Sequence, residues 1–434
     1  MTYRAALDYL YAQLPMFQRV GPAAYKKDLG NTLALCGHLG DPQRRFRSVH
    51  VAGTNGKGSV SHMLAAACQA AGLKTGLYIS PHYKDFRERI KVNGQYISRR
   101  AVADFVEQHR PAIEAIQPSF FELCVAMAFD FFAREKVDIA IVEVGLGGRL
   151  DSTNVINPLL SVITNISFDH MNLLGDTLPL IAGEKAGIIK PGVPVVIGET
   201  HPETAPVFLQ KAQECRSEIV FADQHFELAE LGQTDWTSAR YAVLKNKQPY
   251  LSELRVDAAG PFQQKNLATV LQAWEILCGR HPELFQPPAL EALLTGLAQL
   301  KISTRFIGRW QLIGRDPLVL CDSAHNEAGL RLVFERLSTQ HSGQLHLVLG
   351  FVNDKPVEPA LQLFPPGARY FFAKADIPRG LDAAVLREKA ASLGRHGKAY
   401  ASVKNALRAA RRAAAPTDLV LVTGSIFVVA EVLP

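Results

Sequence analysis

Val51-Ala52-Gly53-Thr54-Asn55-Gly56-Lys57-Gly58-Ser59-Val60 joins the apolar run Ser48–Ala52 to the helical stretch Ser61–Ala71 through a glycine-rich turn. Glycines let backbone N–H groups converge on an anion, the following helix N-terminus adds partial positive charge, and Lys57 adds a full one. Together they suit a triphosphate. The spacing departs from the ordinary Walker A pattern, because Gly58 separates Lys57 from Ser59 where that motif has Lys followed directly by Ser or Thr. A different subclass of phosphate loop is implied. The bland alternative, a glycine turn with an incidental lysine, is disfavoured because strand, loop and helix signals agree.

Outward from this turn, apolar β-branched runs of strand length alternate with helical patterns: Thr75–Ser80, Asp138–Val144, Leu159–Thr164 and Val193–Ile197. That is an α/β signature. Continuous hydrophobicity, as in Ile139-Ala140-Ile141-Val142, suits strands of a parallel sheet buried on both faces. The rhythm breaks between about Gln286 and Gly308, where Pro287 and Pro288 precede a helical stretch, and the domain boundary is expected there. Beyond it Leu318–Cys321, His346–Leu349, Tyr370–Ala373 and Leu419–Thr423 read as strands between helices such as Ala383–Ser392 and Val403–Ala414. The stretch Ala229–Gln248 reads as a loosely specified excursion.

At 434 residues the chain exceeds what one core usually supports, so two domains are expected. Apolar residues at 48% and charged residues at 20% are ordinary globular usage, with no run long enough to span a bilayer. Met1 to Leu14 reads as an amphipathic helix, not a signal peptide. Six scattered cysteines without metal-ligand spacing suit reduced thiols in a cytoplasmic protein. A net charge of +6 without a basic block fits anionic small substrates and argues against nucleic acid. Arg408, Arg411 and Arg412 read as a solvated helix face.

Three further residues stand out. Glu143 ends an apolar strand, where an ionised carboxylate is costly unless paired or metal-bound, so it is a magnesium-ligand candidate; a structural pair with Arg149 is the alternative. His170 follows the strand Leu160–Thr164, and a lone histidine is more often structural. Lys185, in Gly183-Glu184-Lys185-Ala186-Gly187-Ile188-Ile189-Lys190, reads as a surface lysine on a short helix, with apolar neighbours that moderately favour a functional role.

Taken in order, these pieces resemble the folylpolyglutamate synthase/dihydrofolate synthase family of the Mur-ligase superfamily. The resemblance rests on the AGTNGKGS turn, Ser80-Pro81-His82 followed by Arg87-Glu88-Arg89-Ile90, EVGLGGRLDSTN at 143–154, SFDHMNLLG at 167–175 and GEKAGIIKPGVPVV at 183–196. It continues through Asn266, Gly308-Arg309-Trp310-Gln311, Asp322-Ser323-Ala324-His325-Asn326 and Gly424-Ser425, covering essentially the whole chain. It implies an α/β protein: a P-loop-containing, parallel-sheet N-terminal ATPase domain with a pterin site (1–300), a linker (301–308) and a smaller Rossmann-like α/β C-terminal glutamate-ligase domain (309–434).

By that resemblance Thr54, Asn55, Gly56, Lys57, Gly58, Ser59, Asn266, Arg309 and Asp322 would bind ATP, and Ser80, Glu143 and His170 would hold Mg2+, with a second ion nearby. Lys57, Lys185 and His325 would be catalytic, Lys185 as a carbamate and His325 close to the incoming amine. Ser119, Phe120, Phe121 and Glu122, with Leu150, Asp151 and Ser152, would line the pterin side, and Met16–Pro22 is in place for a pterin-contacting loop. The activity implied is ATP-dependent transfer of L-glutamate onto dihydropteroate or tetrahydrofolate polyglutamates through an acyl phosphate, in a monomer whose site is complete only when the domains close. Alternatives are a monofunctional folylpolyglutamate synthase, another Mur-type amino-acid ligase, or a nucleotide-gated switch. Ser323 stands where relatives often carry a small apolar residue.

Overall fold

A computed structural model of the chain describes residues 1–15, 28–232, 235–286, 288–353 and 357–434. The expected pterin loop Met16–Pro22 and the boundary proline Pro287 lie outside the described residues. The chain forms two compact units, one of Met1–Gly232, Arg240–Asp257 and Gln263–Phe306, the other of Gln233–Ala239, Ala258–Phe262 and Ile307–Pro434.

The first unit is built on strands β1 (Arg47–Ala52), β2 (Thr75–Tyr78), β3 (Ile90–Val92), β4 (Gln95–Tyr96), β5 (Ile139–Glu143), β6 (Leu160–Ile163), β7 (Val195–Ile197) and β8 (Ile219–Phe221). They form one sheet in the order β4-β3-β2-β5-β1-β6-β7-β8, parallel except for β3 and β4 at one edge. Ile139–Glu143 is buried throughout, as continuous hydrophobicity requires of a strand covered on both faces. One covering helix, Phe120–Arg134, sends Leu123, Val125, Met127 and Phe129 into a core that also takes Leu10, Phe86, Phe105 and Val142.

Two expectations need correction. The helix after the glycine turn starts at Lys57, not Ser61, and runs to Ala70. The supposed excursion 229–248 belongs to an antiparallel sheet of β9 (Phe226–Glu230), β10 (Ala239–Lys245) and β11 (Gln248–Val256). Its signal was period-two burial, with Ala239, Tyr241 and Val243 inward, and a tight turn at Asn246 and Lys247, both at positive φ (49° and 63°). The turn carries no glycine, which hid it. The expected linker segment Lys301–Thr304 is helical and fastened within this unit: Thr304 Oγ1 meets buried His62 Nδ1 at 2.7 Å, and its carbonyl accepts from buried Lys91 Nζ at 2.9 Å.

The second unit carries β12 (Gln311–Arg315), β13 (Leu318–Cys321), β14 (Leu345–Leu349), β15 (Arg369–Ala373), β16 (Gly397–Tyr400) and β17 (Leu419–Thr423). Their order is β12-β13-β17-β14-β15-β16, parallel except for β12. Trp236 stacks on Trp310 here, and Ala259 and Phe262 pack in the same core, which ties residues 235–239 and 258–262 to it. All six cysteines are free, and five are buried. Among the described residues no helix is long and apolar enough to cross a membrane.

Candidate active site

Strands β2, β5, β1 and β6 are parallel neighbours, so the turns leaving their C-terminal ends share one edge of the first sheet. Ligands gather at such edges. The four turns carry Gly53–Lys57, Ser80, Glu143–Asp151 and Thr164–His170, segments far apart in sequence.

The glycine turn is fitted against the β6 turn. A Cβ on Gly53 (φ 142°) would overlap the Thr164 hydroxyl, and one on Gly56 (φ 85°) would overlap the Asn266 amide oxygen. Thr54 Oγ1 donates to Ser167 O at 3.2 Å and accepts from Ser167 N at 3.1 Å. Asn55 N donates to Asn165 Oδ1 at 3.1 Å, and Asn55 Nδ2 to Ser167 Oγ at 3.2 Å. The Thr54 and Asn55 side chains therefore brace the loop. Because the helix starts at Lys57, the N–H groups of its first turn open on the loop itself, where an anion would satisfy them.

Two lysines meet at one carbonyl. Lys57 Nζ donates to Gly53 O at 3.0 Å and to Thr54 O at 3.2 Å, and Lys185 Nζ donates to the same Gly53 O at 3.0 Å. Lys185 is only 4% exposed. Burial first, and the Lys57 charge second, push its ammonium down to about 7. Glu143, also buried, accepts from Ser80 N at 3.2 Å, and a methyl on Gly58 would stand 3.7 Å from its Oε1. The structure thus joins Ser80, Glu143 and the helix start. Arg149, the alternative partner of Glu143, pairs with Glu184 at 2.8 Å. His170 sits at positive φ (49°) with Nε2 4.0 Å from Asp169 Oδ1. Among the described residues no group of three or more His, Cys, Asp or Glu is placed to hold a metal ion.

The pterin candidates divide. Ser119 and Glu122 form a reciprocal capping box at the start of the helix Phe120–Arg134: Glu122 Oε2 accepts from Ser119 N at 2.6 Å, and Ser119 Oγ from Glu122 N at 3.3 Å. Phe120 is 3% exposed and packs on Tyr11 and Phe86. Phe121 is half-buried and closes on Gly145, where any Cβ would strike its ring. Asp151 is buried, and its carboxylate accepts from Gly145 N (3.0 Å), Leu146 N (2.8 Å), Thr153 N (3.0 Å) and Thr153 Oγ1 (2.5 Å). Leu150 is half-buried and Ser152 buried on the turn that Asp151 ties.

In the second unit, the ends of β13 and β17 play the corresponding part. Asp322 Oδ2 accepts from Trp310 N at 2.7 Å and Oδ1 from Ala324 N at 2.8 Å. Burial raises its carboxyl, against the pull of Arg309. Arg309 Nη1 donates to Ser323 Oγ, which donates to Gly308 O at 2.9 Å. Ser323 is therefore a linchpin of this turn. His325 Nδ1 donates to Ser323 O at 2.9 Å, and Asn326 caps the helix Glu327–Gln340.

Residues 51–273 match the Mur ligase middle domain and residues 308–426 the Mur ligase, glutamate ligase domain. The dihydrofolate synthase/folylpolyglutamate synthase of Bacillus subtilis is 34% identical over 422 residues, 94% of each chain. The chain belongs to this family of Mur ligases. Among solved structures, Escherichia coli FolC in complex with DHPP and ADP superposes with a TM-score of 0.85 at 29% identity, covering 100% of this chain and 97% of the other. Mycobacterium tuberculosis folylpolyglutamate synthase complexed with ADP and AMPPCP gives 0.86 at 31% identity, covering 99% and 97%.

Sequence reasoning about this Mur ligase missed the residues that fasten its loops. Thr164, Asn165 and Ser167 hold the glycine turn, and Glu88 gathers the N–H groups of Tyr83, Lys84 and Asp85 at 2.6, 2.9 and 2.8 Å. Arg89, 2% exposed, lies over Phe120 and donates through Nε to His82 Nδ1 at 2.8 Å. Burial, then Arg89, push His82 down to about 3. The available signal was a charged Arg-Glu-Arg run leading into an apolar strand, and only tertiary packing buries Glu88 and Arg89.

Proposed function

We propose that the chain is an ATP-dependent acid–amino-acid ligase that joins L-glutamate to dihydropteroate and to the γ-carboxylate of tetrahydrofolate polyglutamates, releasing ADP and phosphate. The observation that carries this reading is the pair of lysines on the Gly53 carbonyl, Lys185 buried and Lys57 partly so, at the same sheet edge as Glu143. Two amines crowded onto one carbonyl oppose each other's protonation, and a triphosphate would offset that. Residues 1–300 would carry the nucleotide and pterin sites, 301–308 the connection, and 309–434 the glutamate-ligase residues.

A carboxylate does not condense with an amine at neutral pH, because oxide is a poor leaving group and the amine is mostly protonated. The acceptor carboxylate oxygen attacks the ATP γ-phosphorus, the bond to the ADP oxygen breaks, and an acyl phosphate forms. The glutamate amine then adds to the acyl carbon, losing its proton, and the tetrahedral intermediate collapses to amide and phosphate. Lys57 offsets charge on the transferred phosphoryl group, and the N–H groups from Gly56 to Ser59 orient it. Asn266, Arg309 and Asp322 contribute to nucleotide binding, and His325 stands near the amine. Phe121, Leu150 and Ser152 offer the pterin surface, on a frame held by Ser119, Phe120, Glu122 and Asp151.

The hard oxygens of Ser80 and Glu143 would suit Mg2+, and by the family resemblance His170 would be a further protein donor beside phosphate oxygens. Such ions, two in the full site, would neutralise phosphate charge. A lysine brought down to about 7 is partly neutral at that pH, and its free amine can add to carbon dioxide and lose a proton, so Lys185 is a carbamate candidate. We assign the protein to the cytoplasm, as a monomer.

The test mixes purified protein, ATP, Mg2+ and labelled glutamate with dihydropteroate or tetrahydrofolate. The expected result is a mass gain of one glutamyl unit on both acceptors and phosphate release only when glutamate and acceptor are both present. Labelling of tetrahydrofolate alone would restrict the activity to folylpolyglutamate synthesis. ATP turnover without any amide product would favour a switch.

A further inference from the structure

One buried histidine lies behind the site and has no part in the chemistry above. His50 sits inside β1 between Val49 and Val51, paired in register with Val142 on β5 and Ser161 on β6. It is fully buried, and burial pushes its imidazole down to about 3, so it is neutral. A valine would fill such a strand position without a polar atom to satisfy. The imidazole brings one bond in exchange, Nε2 to Thr153 Oγ1 at 2.8 Å, while Nδ1 has no partner among the described residues.

That bond has a direction. The Thr153 hydroxyl has a single proton, and Asp151 Oδ1, 2.5 Å away, takes it. His50 must then donate from Nε2. The chain of bonds runs His50 to Thr153 to Asp151, and Asp151 Oδ2 goes on to receive the N–H groups of Gly145 and Leu146. Gly145 lies two residues beyond Glu143 and against the Phe121 ring. Behind the same turn, Lys190 Nζ donates to Asn154 O at 2.8 Å, and Asn154 Nδ2 to the carbonyls of Arg149 and Gly187 at 3.0 Å each.

We propose that His50, through Thr153, is a positioning residue for the acceptor-binding turn 145–153: from the strand that feeds the nucleotide loop it fixes where Leu150 and Ser152 present themselves to the acid substrate. This rests on the ligase reading. Second shells of this kind set the geometry of the groups they support, and small displacements of those groups are costly to catalysis.

Thr153→Val removes the hydroxyl at constant shape, Thr153→Ser keeps it, His50→Leu removes the donor and His50→Gln supplies another. Initial rates are measured with dihydropteroate and tetrahydrofolate varied at saturating ATP, then with ATP varied. The expected result is a tenfold or greater rise in acceptor KM for Thr153→Val and His50→Leu, with ATP KM and ADP binding within twofold of wild type. Thr153→Ser should be restored to within threefold, with His50→Gln between. If His50→Leu fails to fold, Thr153→Val against Thr153→Ser decides. Unchanged acceptor KM, or equal rises for acceptor and ATP, overturns the positioning role while leaving the ligase reading intact. Absence of glutamylated product from the wild-type protein with either acceptor overturns both.

Discussion

The C-terminal strand edges of the two parallel sheets use the same device for different ends. At the first, the helix start after β1 and the helix Leu178–Ala186 bring two lysines onto one carbonyl, with the buried carboxylate of β5 nearby. At the second, β13 and β17 deliver Asp322, whose oxygens are matched to backbone donors and whose neighbouring charge, Arg309, is of opposite sign. Amines crowded together with one of them buried are something folding alone works against, whereas opposite charges and satisfied N–H groups are what it favours. The contrast separates an edge of crowded amines from a turn held rigid by its own bonds.

The strongest way to break this comparison is Lys57→Ala. Loss of the charge facing the transferred phosphoryl group should lower kcat/KM roughly a thousandfold, about 4 kcal/mol, with the melting temperature preserved. Near-normal phosphate release would remove the first edge from the chemistry. Glu143→Ala should behave alike.

Lys185 gives the next effect, in stability. Its folded-state value of about 7 lies below the ordinary 10.5. Below pH 7 both folded and unfolded chains carry its proton, and the full burial cost applies. Between pH 7 and 10.5 the unfolded chain binds more protons, so the cost fades as pH rises. Lys185→Met should therefore stabilise the protein more at pH 6 than at pH 9, by about 2 to 3 kcal/mol in denaturant titrations. An equal effect at both values would mean that burial and Lys57 do not depress the Lys185 ammonium.

At the second edge, Asp322→Ala leaves the Trp310 and Ala324 N–H groups without their acceptor and should cost about 1 to 3 kcal/mol of stability at any pH from 6 to 9. A strong pH dependence there would erase the distinction between the edges. Smallest is Ser119→Ala, which removes a helix cap and should cost about 1 kcal/mol in thermal unfolding. A large, selective rise in acceptor KM from that change would instead make Ser119 a direct pterin contact.

Much of the fold was legible because its signals are local. The strand, glycine turn and helix around Gly53 lie within one contiguous stretch, and Leu318–Cys321 and Leu419–Thr423 were read with their observed bounds. The β9–β11 sheet was not, since its turn at Asn246-Lys247 lacks the usual glycine and its strands are only half apolar. At the site, the sequence named Lys57, Glu143 and Lys185 but could not say what each side chain touches. Ser-x-x-Glu at 119–122 is a capping box whose signature lies in the sequence itself, within the stretch expected to line the pterin side.

By itself the sequence determined which residue types follow which strands, and so the family, the α/β class and the order of the motifs, because periodicity and turn chemistry act over a few residues. Tertiary structure alone decided that β1 lies between β5 and β6, and with it that Lys185 shares a carbonyl with Lys57 and that His50 supports Thr153. Those pairings join residues about 100 or more apart. Which strands neighbour each other is settled by how the helices cover both sheet faces, a global packing problem that no local pattern encodes.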